Sequence, residues 1–174
     1  MAAPRFAQQL NAQIGNELAA HNQYLACAIH YDVQTMPRLA AFFYAQALEE
    51  RGHAMMMVQY LLDTDHPVEI PAVEAPVSTF ADVVAPIALA LAQERRVTEQ
   101  VNGLLRTARE EGDYASEQFM QWFIKEQVEE VATMSDLLNV AERNRDDIED
   151  IEEYVAREQG AGGEDPTAPR QAGV

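Results

Sequence analysis

Apolar side chains recur at helical spacing along most of this chain and predict four long helices followed by a short one. The long helices are expected at about residues 5–34, 37–63, 83–111 and 114–143. The apolar positions of the first helix are four or seven residues apart, at Leu10, Ile14, Leu18, Leu25, Ile29 and Val33. The short helix, at about 146–158, has one apolar face and one acidic face, and the apolar face contains Ile148, Ile151, Tyr154 and Val155.

Proline and glycine positions separate the helices and indicate how they connect. Pro37 suits the first turn of the second helix, and Gly112 with Asp113 predicts a tight stop and a new N-cap. Short links make the first two long helices antiparallel, and likewise the last two. The proline-containing link of about 18 residues between the two pairs is long enough to run the length of a bundle. The sequence therefore predicts an all-α four-helix bundle with one long crossover and a short fifth helix.

Composition limits the classes of partner and compartment. The 12 basic and 29 acidic residues give a net charge of −17, which argues against nucleic acid and anionic membranes and favours cations. A solvated acidic surface is the alternative explanation. The start of the chain lacks the apolar run of a signal peptide, and no apolar stretch is long enough to span a membrane, so a cytoplasmic protein is expected. Cys27, the only cysteine, excludes an intrachain disulfide.

The end of the chain has a different composition from the helices. Residues 160–174 are rich in glycine, alanine and proline. They lack the apolar side chains needed to dock on a bundle. We therefore expect a folded domain at residues 1–159 and a flexible C-terminal tail at residues 160–174.

Each long helix carries a glutamate near the middle of its inward stripe, at Glu17, Glu50, Glu94 and Glu130. These glutamates would meet at one level inside the bundle, whichever way the helices point. Buried carboxylates are costly unless paired or bound to metal, and the inward stripes contain no lysine or arginine. His53 lies three residues after Glu50, on the same helical face. A pair of metal ions is the simplest explanation, and oxygen-rich ligands favour iron or manganese over structural zinc.

Most residues beside this acidic layer have both a chemical and a structural interpretation. Tyr24 would hydrogen-bond a ligand or donate an electron, or it would be a plain core tyrosine. His21 would support a ligand or be a satisfied core histidine, and Trp122 is interpreted as a packing residue. The inward stripe of the fourth helix is interpreted as Phe119, Phe123, Glu126, Glu130, Thr133 and Leu137. A third, weaker metal site or a solvated face would account for Glu49, Glu126 and Glu129.

Motifs on all four long helices resemble those of the non-haem bacterial ferritins, from about Gln8 to Glu158. They are Asn16-Glu17 with Tyr24, Glu49-Glu50-Arg51-Gly52-His53-Ala54, Gln93-Glu94, and Gln121-Trp122-Phe123 leading into Glu126-Gln127-Val128-Glu129-Glu130. The resemblance implies a ferritin-like fold and a ferroxidase centre. One iron site would contain Glu17, Glu50 and His53. The other would contain Glu50, Glu94 and Glu130, with Gln127 close by.

The resemblance also implies an assembly and a reaction. A third iron site would use Glu49, Glu126, Glu129 and Glu130. Twenty-four identical subunits would form a hollow cage that oxidises Fe²⁺ with oxygen or peroxide and stores the ferric mineral. Glu117 is similar in position to residues that line the threefold channels of such cages, although a glutamate there also simply favours the helix dipole.

Single positions separate the chain from two related families. Bacterioferritins bind haem through a methionine two positions before the histidine of the second helix, where this chain has Arg51. They also carry a histidine on the fourth helix, where Glu130 or Val131 stands here, so no haem is expected. Rubrerythrins add a cysteine-ligated iron domain, which one cysteine cannot build. A di-iron oxidoreductase that stores nothing, and a purely structural helical module, remain alternative functions.

Overall fold

The fold is a bundle of α-helices, and the computed structural model describes residues 2–158 and 165–173. The helices are α1 (Pro4–Val33), α2 (Pro37–Asp63), α3 (Ala85–Glu110), α4 (Tyr114–Arg143) and α5 (Ile148–Glu158). The described residues contain no β-strand. This arrangement confirms the predicted all-α bundle with a short fifth helix. None of the described helices is long and apolar enough to cross a membrane.

The link between α2 and α3 runs along α1 from one end of the bundle to the other. Near the start of the link, the Asn11 side-chain amide donates a hydrogen bond to the Glu69 carbonyl at 2.9 Å. At its end, the Tyr31 hydroxyl donates to the Val83 carbonyl at 2.6 Å. The link therefore follows α1 in the same direction and returns the chain to the end where α2 began. This confirms the predicted long crossover, with α2 and α3 parallel.

The bundle interior consists of two apolar clusters with a polar layer between them. One cluster lies towards α5 and includes Tyr31, Leu39, Phe43, Ile87, Leu137 and Ile151. The other lies towards the start of α1 and includes Phe6, Leu10, Met57, Leu61, Val101 and Met120. The buried polar side chains of the middle of the helices fall between them, among them Glu17, Glu50, Glu94 and Glu130. The apolar clusters therefore fix the level at which the acidic side chains meet.

Two of the apolar positions that indicated α1, and one position of the inward stripe predicted for α4, lie outside the core. Ile29 and Val33 are 54% and 80% exposed, whereas Tyr31 is fully buried. Each step of four residues turns the helix about 40° beyond a full turn, so two successive steps after Leu25 leave the core face. On α4, Thr133 is exposed and Met134 is buried instead.

α5 docks on the bundle and caps the start of α2. Its Ile151 and Val155 are buried in the apolar cluster nearest to it. The Glu152 carboxylate accepts hydrogen bonds from the backbone N–H groups of Arg38 at 2.9 Å and Leu39 at 2.8 Å. Met36, the N-cap residue of α2, provides no side-chain cap of its own. Glu152 therefore satisfies two of the free N–H groups of a helix that starts with proline.

Residues 165–173, part of the predicted flexible tail, lie against α2 and α4. The Ala172 N–H donates a hydrogen bond to the Met55 carbonyl at 3.1 Å, and Asp165 pairs with Lys125 of α4. The expectation that these residues would not dock is wrong, because they dock through an ion pair, hydrogen bonds and the packing of Ala168 and Ala172 against the nearer apolar cluster. Residues 159–164 and 174 lie outside the described residues, and the domain boundary at residue 159 stays a prediction.

Replacing Glu152 by alanine removes the cap of α2. We expect the free energy of unfolding to fall by about 1 kcal/mol, the usual effect of losing an N-cap. In a chain of this size the melting temperature should fall by about 2–4 °C, measured by circular dichroism. Glu153→Ala, at the exposed neighbouring position, is the control. If both variants melt at the same temperature, Glu152 does not act as a cap.

Candidate metal centre

Glu17, Glu50 and His53 bring their side chains together in the polar layer. Their ligand atoms all lie within 4.8 Å of one another, and all three residues are buried. We call them the inner group. His53 Nδ1 lies 3.5 Å from Glu50 Oε2. Within the described part of the chain, Glu17 Oε2 and Glu50 Oε2 have no hydrogen-bond partner. Partnerless buried carboxylate oxygens are costly, and a bound cation would satisfy them.

Glu94 and Glu130 are buried in the same layer, but they occupy different surroundings. Glu94 accepts a short hydrogen bond from the Tyr24 hydroxyl, and the Gln127 side-chain amide donates to both its carboxylate and its carbonyl at 3.2 Å. Among the described residues, the structure does not gather Glu50, Glu94 and Glu130 as tightly as the inner group. Of the two interpretations of Tyr24, the structure supports the one in which it hydrogen-bonds a candidate ligand.

A second cluster of ligand atoms lies beside the first and shares its histidine. The atoms of Glu49, His53 and Glu126 are within 4.8 Å of one another. We call these three residues the outer group, because Glu49 is exposed and Glu126 is half-buried. Glu129, which the resemblance assigns to a third site, is not among these three residues. Its carboxylate lies 3.9 Å from the Lys125 ammonium. Sequence reasoning did not anticipate that His53 faces both groups.

Hydrogen bonds from other side chains orient Glu17. The Gln13 amide donates to Glu17 Oε1 at 2.8 Å and to Gln100 Oε1 at 3.1 Å. Asn16 in turn donates to Gln13 Oε1 at 2.9 Å. Gln13 was missed in the sequence, although its position one turn before Glu17 is the spacing at which side chains on a helix meet. These contacts fix one carboxylate oxygen and leave the other free for a cation.

Two aromatic rings of α4 enclose the imidazole of His53. The ring of Trp122 lies 5.6 Å from it at an interplanar angle of 71°, and that of Phe123 lies 5.8 Å away at 75°. Both are edge-to-face contacts of the kind that aromatic pairs prefer. The packing role assigned to Trp122 from the sequence therefore bears directly on the site, because this packing sets the orientation of His53.

Two other sequence candidates lie outside both groups. The His21 ring donates from Nδ1 to the Ala47 carbonyl at 2.6 Å, which links α1 to α2 and matches the interpretation as a satisfied histidine. Glu117 accepts a hydrogen bond from the Arg109 guanidinium at 2.7 Å. That contact joins the end of α3 to the start of α4.

Burial and mutual repulsion raise the pKa values of three carboxyl groups of the acidic layer. Burial raises the pKa of Glu50 well above its ordinary value, and the nearby Glu94 and Glu17 carboxylates raise it further. Burial also raises the pKa of Glu130, with added repulsion from Glu49 and Glu50. The pKa of Glu94 is raised by burial, in part offset by the hydrogen bonds from Tyr24 and Gln127. Divalent cations would displace these protons, so binding should strengthen as pH rises.

Comparison with known proteins agrees with this architecture. The family profile of the ferritin-like domain matches residues 7–144, most of the chain. This chain belongs to the ferritin family. Iron storage is the function of that family, and the resemblance to bacterial ferritins inferred from the motifs is confirmed.

Relatives of this ferritin span nearly its whole length. Ferritin BfrB of Mycolicibacterium smegmatis is 53% identical, over 97% of this chain and 93% of the relative. The bacterial non-heme ferritin of Staphylococcus aureus is 35% identical, over 84% of this chain and 89% of the relative. Among solved structures, the open pore ferritin of Archaeoglobus fulgidus superposes with a TM-score of 0.87 at 26% identity, covering 94% of this chain and 100% of that one.

The raised carboxyl pKa values predict that the metal-free protein loses stability as pH rises. The folded state holds protons on Glu50, Glu94 and Glu130 at pH values where the unfolded chain has released them. The free energy of unfolding therefore falls as pH rises above the ordinary glutamate pKa, through the raised values. Glu50→Gln removes one of these groups, so its melting temperature should fall less between about pH 5 and pH 8.

The control for this pH series is Glu99→Gln, at an exposed position of α3. It should lose as much thermal stability as the unmodified protein over the same range. Calorimetry of the metal-free proteins gives the comparison. Identical pH slopes for Glu50→Gln and the unmodified protein would contradict a proton held on the buried layer.

Proposed function

We propose that this ferritin binds pairs of ferrous ions as substrate in its buried acidic layer, oxidises them and stores the ferric product as mineral. Each Fe²⁺ gives up one electron. With dioxygen as oxidant, the two electrons and two protons leave as hydrogen peroxide; with peroxide as oxidant, they leave in water. The protein contributes positioning and charge compensation, since four carboxylates offset the charge of two ferrous ions.

One observation carries the proposal: two carboxylate oxygens, Glu17 Oε2 and Glu50 Oε2, are buried beside an imidazole with no hydrogen-bond partner among the described residues. Isolated buried carboxylates are too costly to persist as a packing device. A cation removes that cost. The combination of carboxylate oxygens with a single imidazole suits iron and does not suit structural zinc, which favours sulfur and nitrogen ligands.

The resemblance to bacterial ferritins supports a role for each of the individual residues. Glu17, Glu50 and His53 would hold one ion, and Glu50, Glu94 and Glu130 the other, so that Glu50 bridges. Tyr24 and Gln127 would orient Glu94 by the hydrogen bonds they already donate to it. Glu49 and Glu126, with Glu129 and Glu130 nearby, would take a third ion on its way to the mineral.

The second candidate function is a di-iron oxidoreductase that uses the same layer and stores nothing. An apolar groove on the surface supports self-assembly, which a storage cage requires. The groove, of about 500 Å³, lies along the outer face of α1 and is lined by Leu25, Ile29, Val33 and Pro76 among others. Large exposed apolar side chains of this kind, such as Val33, mark surfaces that other protein chains cover. We propose that copies of this chain cover it.

Glu50→Ala tests the reaction. It removes the ligand that both proposed ion positions share, so aerobic oxidation of Fe²⁺ should slow by at least about tenfold, the lower end of what disturbing even the surroundings of a metal site does. Stopped-flow absorbance of the ferric product measures the rate. The exposed Glu99→Ala should oxidise iron at the unmodified rate. Unchanged oxidation in Glu50→Ala would refute the assignment.

The size and the absorption spectrum of the purified protein test storage and the absence of haem. A cage of twenty-four chains of 19.4 kDa would elute at roughly half a megadalton. Because Arg51 occupies the position of the haem methionine, added haem should produce no Soret band. A monomer or dimer that still oxidises iron would support the oxidoreductase instead, and stoichiometric haem would overturn the non-haem assignment.

Location and other partners stay predictions. The net charge of −17 disfavours nucleic acid and anionic membranes as partners, and the expected compartment is the cytoplasm. Fractionation of cells that produce the protein would test the compartment, and recovery of the protein in a membrane or extracellular fraction would contradict it.

A further inference from the structure

Residues 165–173 bridge the two helices that carry the outer group. We call this segment the C-terminal strap. At one end, Asp165 Oδ2 accepts hydrogen bonds from Trp122 Nε1 and Lys125 Nζ, both at 3.1 Å. At the other end, the Ala172 N–H donates to the Met55 carbonyl at 3.1 Å. The strap thus joins α4 to α2 by polar contacts at each end.

Each contact of the strap lies next to a member of the outer group. Trp122 packs edge-on against His53, and Lys125 directly precedes Glu126. The Gln171 side chain lies over Gly52, the residue before His53, so closely that a Cβ at Gly52 would lie 3.0 Å from Gln171 Nε2. The strap therefore touches the neighbours of His53 and Glu126 without supplying a ligand to the outer group.

Asp165 is itself held in a fixed geometry. Its Oδ1 accepts hydrogen bonds from the Thr167 backbone N–H at 2.8 Å and from the Thr167 hydroxyl at 2.6 Å. Oδ2 is thereby left for Trp122 and Lys125. Such a local turn orients a carboxylate before it meets its partners.

The partner that matters for metal binding is Lys125. Its ammonium lies 3.1 Å from Asp165 and 3.9 Å from Glu129, and its positive charge acts on Glu126 as well. Without Asp165, the carboxylates of Glu126 and Glu129 would be the neighbouring partners for this cation. A lysine paired with Glu126 would compete with any divalent cation for the same oxygens.

We propose that Asp165 is a positioning residue of the outer group: it holds the Trp122 indole against His53 and holds the Lys125 ammonium away from Glu126. The strap then keeps the outer group oriented and free of an internal cation. The inference rests on the proposed function in one respect, which is that the outer group binds a divalent cation. It adds a role for a segment whose sequence suggests only a tail.

Trp122 is the only tryptophan of the chain, so its fluorescence reports on the strap directly. The experiment uses the metal-free full-length protein and Co²⁺, a paramagnetic ion that quenches nearby fluorophores. In Asp165→Asn, Trp122 emission should change in wavelength before metal is added, because the indole N–H loses its charged acceptor. The Co²⁺ ion of the outer group is identified as the one whose binding is lost in Glu126→Gln. In Asp165→Asn, the affinity for that ion should weaken by about tenfold, the usual effect of losing a supporting partner.

A second substitution separates the charge effect from a loss of structure. If Asp165 restrains Lys125, then Lys125→Gln should restore most of the Co²⁺ affinity in Asp165→Asn and should strengthen binding less in the unmodified protein. A merely loosened strap would give equal gains in the two backgrounds. Asp165→Glu, which keeps the charge, should stay close to the unmodified protein. Asp150→Asn, at an exposed position of α5, is the matched control and should change neither emission nor affinity.

The outcomes separate failure of the inference from failure of the proposed function. If the unmodified protein and Glu126→Gln bind the same number of Co²⁺ ions, the outer group is not a metal site and the proposed third ion position fails. If the unmodified protein binds it and Asp165→Asn binds it equally well, the positioning role of Asp165 is refuted. If affinity weakens but Lys125→Gln does not restore it, the restraint of Lys125 is refuted.

Discussion

The burial of acidic side chains between two apolar clusters is the constraint on which the rest of this molecule depends. Packing on both sides stabilises the bundle, whereas the layer between opposes folding, because carboxylates such as Glu50 have lost water and repel one another. The structure accommodates the conflict in three ways. It places donors such as Gln13 and Tyr24 on some oxygens and raises the pKa of groups such as Glu50, which favours their protonated form. It leaves two carboxylate oxygens without partners among the described residues. This unfavourable free energy of the metal-free layer favours cation binding, because a bound cation relieves the repulsion and satisfies the free oxygens.

Much of the fold could be predicted from sequence because its signals are local. Helical periodicity, the proline at the start of α2 and the Gly112-Asp113 turn each depend on neighbouring residues, and the long link left one topology that could span the bundle. Which apolar residues face inwards was less certain. Ile29 and Val33 continue the apolar pattern of α1 but lie on its outer face, and periodicity does not distinguish a core face from one that other chains cover.

The position and composition of the acidic layer could also be predicted from sequence. Four mid-helix glutamates and the Glu50–His53 spacing indicated a metal centre, because the midpoints of bundle helices coincide whatever their direction. The finer geometry was not predictable. That His53 faces Glu126 as well as Glu17 depends on the rotation of α4 about its axis. The docking of Asp165 depends on contacts across 40 and 43 positions of the chain, for which the sequence carries no periodic signal.

The sharing of His53 has a consequence for traffic between the two groups. A neutral imidazole offers a single lone pair, because its other nitrogen carries a proton. An ion held by His53 in the inner group therefore takes that lone pair from the outer group, and the reverse also holds. If both groups bind ions as proposed, they compete for His53, and each ion would lower the affinity for the other by the same factor. Such antagonism would make the two adjacent positions a relay, in which the arrival of one cation weakens the binding of the one before it.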